Sequence, residues 1–262
     1  MESRKIINSI QNPLVKNVLR LKEKSRERKK SGRFIIEGKR ELELAFKGGY
    51  ELENVLICEG IGPTLEIDTL FGNTINVSKP VYQKLAHRGS TEGILAIAKS
   101  KDHHLDKIRL GENPLVLVAE SPEKPGNVGA LLRTADAANL DAVFISNPKS
   151  DIYNPNIIRS SVGCVFTTQI GVGSSEEVIQ YLKHQNITIF CATLAASKPY
   201  IEANFNSSTA IVVGTEATGL TEKWLEYSNQ NIIIPMQGEI DSMNVSVSAA
   251  ILIFEAKRQR GF

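Results

Sequence analysis

LVLVAESPEKPGNVGALLRTADAANL, residues 115–140, contains the alternation on which the reading of the whole chain turns. Five apolar residues, Leu115 to Ala119, run into Glu120, as a strand covered on both faces does. A loop rich in Pro and Gly follows, and then a helix that Gly126 or Asn127 can cap. Asn139 suits the left-handed position at the helix end. The same alternation continues to the end of the chain. AVFIS (142–146), VFTTQIGV (165–172), ITIFCATL (187–194), AIVVG (210–214) and NIIIPM (231–236) are short, apolar and rich in β-branched residues. Helices fall between them; one is SSEEVIQYLKHQ, where Ser174 and Glu177 make a capping box. NVSVSAAILIFEAKRQ closes the series. Short buried strands alternating with helices predict an α/β domain with a mostly parallel sheet.

Working outward, the front third repeats the alternation on a smaller scale. Residues 12–32 read as one helix, with Asn12 as N-cap, Pro13 in the first turn and Gly32 as stop. Strands are expected at RFIIEG, NVLIC, NTINVS and GILAIA, and helices at KRELELAFKGG and PVYQKLAHR. The expected organisation is a small α/β domain over 1–100, a polar linker over 101–113, and a larger domain over 114–262. His103 and His104 lie in the linker without metal-ligand spacing and read as solvated.

Composition narrows the class. A chain of 262 residues, 42% hydrophobic and 23% charged, is that of a globular protein with a substantial core. No apolar run reaches the ~18–20 residues that cross a membrane, and MESRKIINSIQNP lacks the core of a signal peptide. Cys58, Cys164 and Cys191 show no disulfide or metal pattern and read as core thiols of a reducing cytoplasm. Charge is concentrated: between Lys16 and Arg33 nine basic residues face Glu23 and Glu27, while the whole chain carries a formal charge of only +2. Such a patch, with Arg20, Lys24, Arg28, Lys29, Lys30 and Arg33 in it, fits either a polyanion partner or a solvated helix face.

Three loops at strand ends carry polar residues beyond what capping needs. The first holds Asn127, Gly129 and Arg133; a helix N-terminus with a nearby guanidinium suits phosphate. The second, AIVVGTEATGL (210–220), sets Gly214 and Gly219 around Glu216. The third, IPMQGEIDSMNVS (234–246), places Ser242, Asn244 and Ser246 at the mouth of an apolar helix. Pro235, Met236 and Met243 beside them suit a flat ring or a thioether. Neither a G-x-G-x-x-G loop nor a Walker loop is present, which argues against a dinucleotide oxidoreductase.

Taken in this order, the three loops resemble the SpoU/TrmH branch of the SPOUT RNA ribose methyltransferases. Asn127, Gly129 and Arg133 match its Asn-x-Gly-x-x-x-Arg motif, and Gly214, Glu216 and Gly219 its Gly-x-Glu-x-x-Gly. Ile234-Pro235-Met236 and Ser242-Met243-Asn244-Val245-Ser246 match the third, with Met243 where Leu is usual. The front of the chain is similar to the RNA substrate-binding domain that many members carry.

The resemblance implies S-adenosylmethionine-dependent methylation of a ribose 2′-hydroxyl in structured RNA, with S-adenosylhomocysteine as product and no metal. Large-subunit ribosomal RNA is the expected substrate; transfer RNA, or RNA binding without catalysis, are the alternatives. It also implies a C-terminal trefoil knot, a homodimer with sites near the interface, and a cytoplasmic enzyme involved in rRNA processing. Catalytic roles are carried to Arg133, Asn127, Ser242, Asn244 and Glu216. Cofactor contacts are carried to Thr193, Leu194, Gly214, Glu216, Gly219, Ile234, Met236, Met243, Asn244 and Ser246. RNA contacts would come from the basic segment and from Arg133.

Overall fold

Apolar runs too short for helices become strands in both parts of the chain. The computed structural model describes every residue except 1–5, 59, 62–73, 88–91, 196, 216 and 241. Two units result: residues 1–101 together with 151–167, and residues 102–150 together with 168–262.

The first unit contains a five-stranded mixed sheet. Its strands are β1 (Ile6–Ile7), β2 (Arg33–Glu37), β3 (Leu52–Cys58), β4 (Thr74–Val77) and β5 (Ile94–Lys99), in the order β1-β4-β3-β5-β2. β4 runs parallel to β1 and β3, and β5 runs antiparallel to β3 and β2. Val15, Val18 and Leu21, on one face of helix Pro13–Glu23, pack over Ile35, Leu56 and Ile97. Asn12 caps that helix as expected, its side chain accepting from Leu14 N at 2.8 Å.

The single helix expected over 12–32 is broken. Lys24 is extended at φ −115°, ψ 109°, and a second helix runs Ser25–Ser31 to Gly32, which is left-handed at φ 63°. The break has a chemical cause. Arg28 is 5% exposed, and its Nη1 donates to the carbonyls of Leu21 at 2.7 Å and Lys22 at 3.2 Å, acceptors freed where the first helix ends. Its Nε pairs with Asp151 at 2.5 Å.

Asp151 belongs to the second departure. Residues 151–167, expected inside the larger domain, group with the first unit. Phe34 stacks on Tyr153 at 4.1 Å, and Tyr50 meets Phe166 edge-on at 5.1 Å. The strand expected over 165–172 is accordingly shortened: Cys164–Phe166 is a 3-10 turn, and β8 begins only at Ile170.

In the second unit β6 (Leu115–Glu120), β7 (Ala142–Ser146), β8 (Ile170–Gly173), β9 (Thr188–Ala192), β10 (Lys198–Pro199), β11 (Thr209–Val213) and β12 (Gln230–Ile233) form one sheet. Its order is β10-β12-β9-β11-β6-β7-β8, parallel throughout. The α/β expectation, with a parallel sheet in the larger part, therefore holds. Every residue of β6, β7 and β11 is buried, as their unbroken apolar sequences require. The stretch read as a linker is partly structural: Leu105 and Ile108 enter this core.

The last helix, Val245–Arg260, packs against helix Pro125–Ala137 and β11. Its far end is fastened by hydrogen bonds. Gln259 Nε2 donates to Ala203 O at 3.0 Å and its Oε1 accepts Phe205 N at 2.8 Å. Arg260 donates to the carbonyls of Phe205, Asn113 and Ser207. All three cysteines are buried thiols outside any disulfide, and burial pushes the Cys191 thiol up to about 12. No helix among the described residues is long and apolar enough to cross a membrane.

Candidate functional site

Parallel strands deliver their carboxyl ends to one edge of a sheet, and the loops leaving that edge form the natural binding crevice. Here β12, β9 and β11 are neighbours, and the chain beyond each contributes to one cavity of about 540 Å³. Thr193 and Leu194 follow β9, Gly214 and Gly219 follow β11, and Ile234 and Met236 follow β12. Ser242 and Met243 complete the rim just before the last helix. The volume suits a ligand of cofactor size, and the lining mixes apolar walls with a few polar groups.

Local chemistry explains each wall. Thr193 N donates to Ile232 O at 3.0 Å, extending the β9–β12 ladder by one bond. The chain beyond β11 closes tightly: Thr215 and Gly219 exchange backbone bonds of 3.1 and 3.0 Å, and the hydroxyls of Thr215 and Thr218 meet at 2.8 Å. Gly214 is obligatory there, because a Cβ would lie 2.2 Å from the carbonyl carbon of Gly219. Gly219 is left-handed at φ +68°, and an added Cβ would project into open space beside the cavity. The backbone is thus exposed to a ligand where a side chain would otherwise stand.

The mouth of the last helix is more specialised than a cap. Asn244 is the N-cap, its Oδ1 accepting Ser246 N at 2.9 Å and Ser246 Oγ at 2.6 Å. Its Nδ2 donates to Oδ1 of Asn127 at 3.2 Å, tying the start of this helix to the start of Pro125–Ala137. Lys124 is the N-cap of the latter helix, with Pro125 first, so Asn127 stands inside the first turn instead of capping it. Asn139 takes the left-handed conformation expected of it, at φ 48°.

Of the residues read from sequence, Thr193, Leu194, Gly214, Gly219, Ile234, Met236, Ser242 and Met243 converge on the cavity. Asn127 and Asn244 meet beside it, and Ser246 spends its hydrogen bonds on the cap. Glu216 lies outside the described residues. Arg133 is exposed and is not among the described lining residues. It lies six positions beyond Asn127 along the helix, a rise of about 9 Å and a turn of about 120° between their faces. Ser248, a fourth polar residue that the sequence places at the mouth of the last helix, lines the cavity too, whereas Thr215 and Thr218 line it without having been singled out; they flank the second motif. Leu225 also does, from the short helix Glu222–Glu226, where no sequence pattern pointed to it.

The basic segment divides. Arg20, Lys24, Lys29 and Lys30 are exposed. Arg28 is withdrawn from any contact surface by its burial against Asp151, which corrects its place among the RNA contacts. Arg33 pairs with Glu53 at 2.5 Å, and that hydrogen bond holds the Glu53 carboxyl below its usual range. Lys22 donates to Leu85 O at 2.5 Å, and burial lowers its ammonium pKa.

Comparison with known proteins agrees with this geometry. Residues 114–254 match the model of the SpoU rRNA Methylase family, and residues 12–96 that of the MRM3-like substrate binding domain. The chain is 28% identical to the 23S rRNA (guanosine(2553)-2′-O)-methyltransferase RlmP of Bacillus subtilis, over 97% of this chain and 99% of that one. It is 40% identical to an RNA 2′-O ribose methyltransferase of known crystal structure, with a TM-score of 0.86 and coverage of 98% and 100%. An rRNA methyltransferase from Sinorhizobium meliloti, crystallised with AdoMet, shares the fold at 23% identity, with a TM-score of 0.89 and 97% of each chain covered.

Proposed function

The chain belongs to the SpoU rRNA methylase family, and from that premise we propose that it methylates a ribose 2′-hydroxyl of large-subunit ribosomal RNA, with S-adenosylmethionine as donor. One observation carries the reading. Gly214, Gly219, Ile234, Met236, Ser242 and Met243, of the second and third motifs, line one cavity at the carboxyl ends of three adjacent parallel strands, and Asn127 of the first motif bonds Asn244 beside it. The cavity fits the cofactor: it has the volume, an apolar wall from Ile234, Met236 and Met243, and open backbone at Gly219 beside Gly214.

When bound, the cofactor supplies an electrophilic methyl group; the chain's residues do the positioning. Thr193, Gly214, Ile234 and Met243 hold the adenosyl moiety, while Ser242, Asn244 and Asn127 hydrogen-bond toward the substrate side. Arg133 is a fork of donors that cannot give up its proton, so it is not the base. It orients the ribose and its phosphate and stabilises charge developing on the 2′-oxygen.

Arg133 is exposed, and a homodimer gives it a place, each copy presenting Arg133 at the other's site. The last helix supports this. Val247 and Phe254 on its free face are 48% and 41% exposed, and lie with Ile251 at spacings of four and three. The position of β12 outside β9, although it follows β11 in sequence, supports a C-terminal trefoil knot. The first unit, with its exposed lysines, holds RNA.

The test is transfer of labelled methyl from S-adenosylmethionine to total RNA of a strain lacking this protein, with Arg133→Ala in parallel. Label in a single ribosomal RNA, lost with the variant, is expected. Label in transfer RNA would move the substrate assignment. No label in any RNA or ribosomal particle, despite cofactor binding, would leave RNA binding without catalysis.

A further inference from the structure

β6 is apolar until its last residue, Glu120, a carboxylate only 1% exposed. Burying such a group is costly unless its lone pairs are filled. Thr221 N donates to Oε2 at 2.8 Å, and the hydroxyls of Thr221 and Ser175 donate to Oε1 at 2.8 and 2.9 Å. Ser175 Oγ accepts in turn from Trp224 Nε1 at 3.1 Å and Asn147 Nδ2 at 2.8 Å. Trp224 itself is fully buried.

The destination of these bonds matters more than their number. Thr221 is the N-cap residue of helix Glu222–Glu226, yet its side chain makes no capping bond. The hydroxyl is committed to Glu120 instead. Thr221 also follows directly on the turn closed by Thr215 and Gly219, which lines the cavity with Gly214, Thr215, Thr218 and Gly219. That turn is closed on itself by Thr215 and Gly219, so a closed unit is pinned to the sheet at its downstream end. Glu120 is not among the described lining residues.

We infer that Glu120 is a positioning residue for the cofactor: through Thr221 it fixes the height above the sheet of Thr218 and Gly219, which line the cavity. This rests on the reading of the cavity as the cofactor site. A carboxylate suits the task because three donors, two of them from one loop residue, converge on it, and a charged acceptor strengthens each bond. Ser175 serves the other half of the network, joining Glu120 to Trp224 and to helix Ser175–His184.

The experiment is calorimetric titration with S-adenosylhomocysteine, together with melting temperature and the separate KM and kcat for S-adenosylmethionine. Glu120→Ala should weaken binding by about tenfold or more and Thr221→Val by about fivefold, the scale of one or two lost buried bonds. KM should rise in step while kcat stays within about twofold. Glu120→Gln, which keeps an acceptor for the Thr221 amide, should recover most of the affinity. Ser175→Ala should lower the melting temperature and leave affinity unchanged. Wild-type affinity in Thr221→Val and Glu120→Ala, with stability alone reduced, overturns the inference; so does equal loss of affinity in Ser175→Ala. If Glu120→Ala does not fold, Thr221→Val decides, since Thr221 sits at an exposed position. Failure of the wild type to bind the ligand would instead remove the assignment of the cavity, leaving the role of Glu120 without a cofactor to position.

Discussion

Two segments carry more polar residues than packing asks for: Lys16 to Arg33 in the first unit, and Ser242 to Ser248 in the second. In the first, charge is dense but uncommitted, and the fold divides it. Arg28 turns inward to meet Asp151 and the carbonyls of a broken helix, while Lys29 and Lys30 stay in solvent. In the second, every polar residue has a short path to a backbone donor or to the cavity rim. Asn244 caps its helix and reaches Asn127 with the same amide. The lesson concerns reach. A long cationic side chain can find an acceptor far away in sequence, so its fate is not local. A short amide or hydroxyl at a helix start is placed by the helix itself.

That contrast can be broken by substitution. Arg28→Ala should have the largest effect, about 3–5 kcal/mol of stability, because Asp151 would be left buried and unpaired. Urea unfolding measures it. A variant that unfolds like wild type but loses RNA affinity would return Arg28 to the contact surface. Next, Arg133→Lys should lower kcat about 10²–10³-fold, with the affinity for S-adenosylmethionine unchanged, since a point charge does not replace a fork of aligned donors. Near-wild-type turnover in that variant would defeat the argument.

The smaller effects sharpen the comparison. Asn244→Ala removes a cap and the tie to Asn127, and should cost about 1 kcal/mol in thermal denaturation. Ala at Lys29 or at Lys30 should leave the melting temperature alone and weaken RNA binding, each lowering the salt slope of the affinity by about one. An unchanged slope would mean that this exposed face does not meet phosphate. Met243→Leu, close to volume-conserving at the cavity wall, should cost less than about 1.5 kcal/mol and leave KM nearly as it was.

How much was legible follows the same division. The strands of the parallel sheet were readable because burial on both faces leaves an unbroken apolar run, as in Leu115–Glu120. Ser174 with Glu177 and Asn12 before Pro13 were readable as caps because those bonds span two or three residues. VFTTQIGV misled because Val165 and Phe166 are buried in the other unit, and burial alone does not say against what. Glu120 passed as the polar end of a strand; its partners Ser175 and Thr221 lie 55 and 101 residues away.

By itself, then, the sequence determined what short-range chemistry determines: the alternation of elements, their caps and turns, and three motifs whose spacings identify the family. Tertiary structure alone decided which distant groups meet. It sent Arg28 to Asp151, placed Asn127 against Asn244, joined Glu120 to Thr221 across the sheet edge, and kept Arg133 exposed. The reason is physical. Periodicity and capping act through neighbours along the chain, whereas the partner of a buried charge is whatever the packed sheet brings within about 3 Å of it.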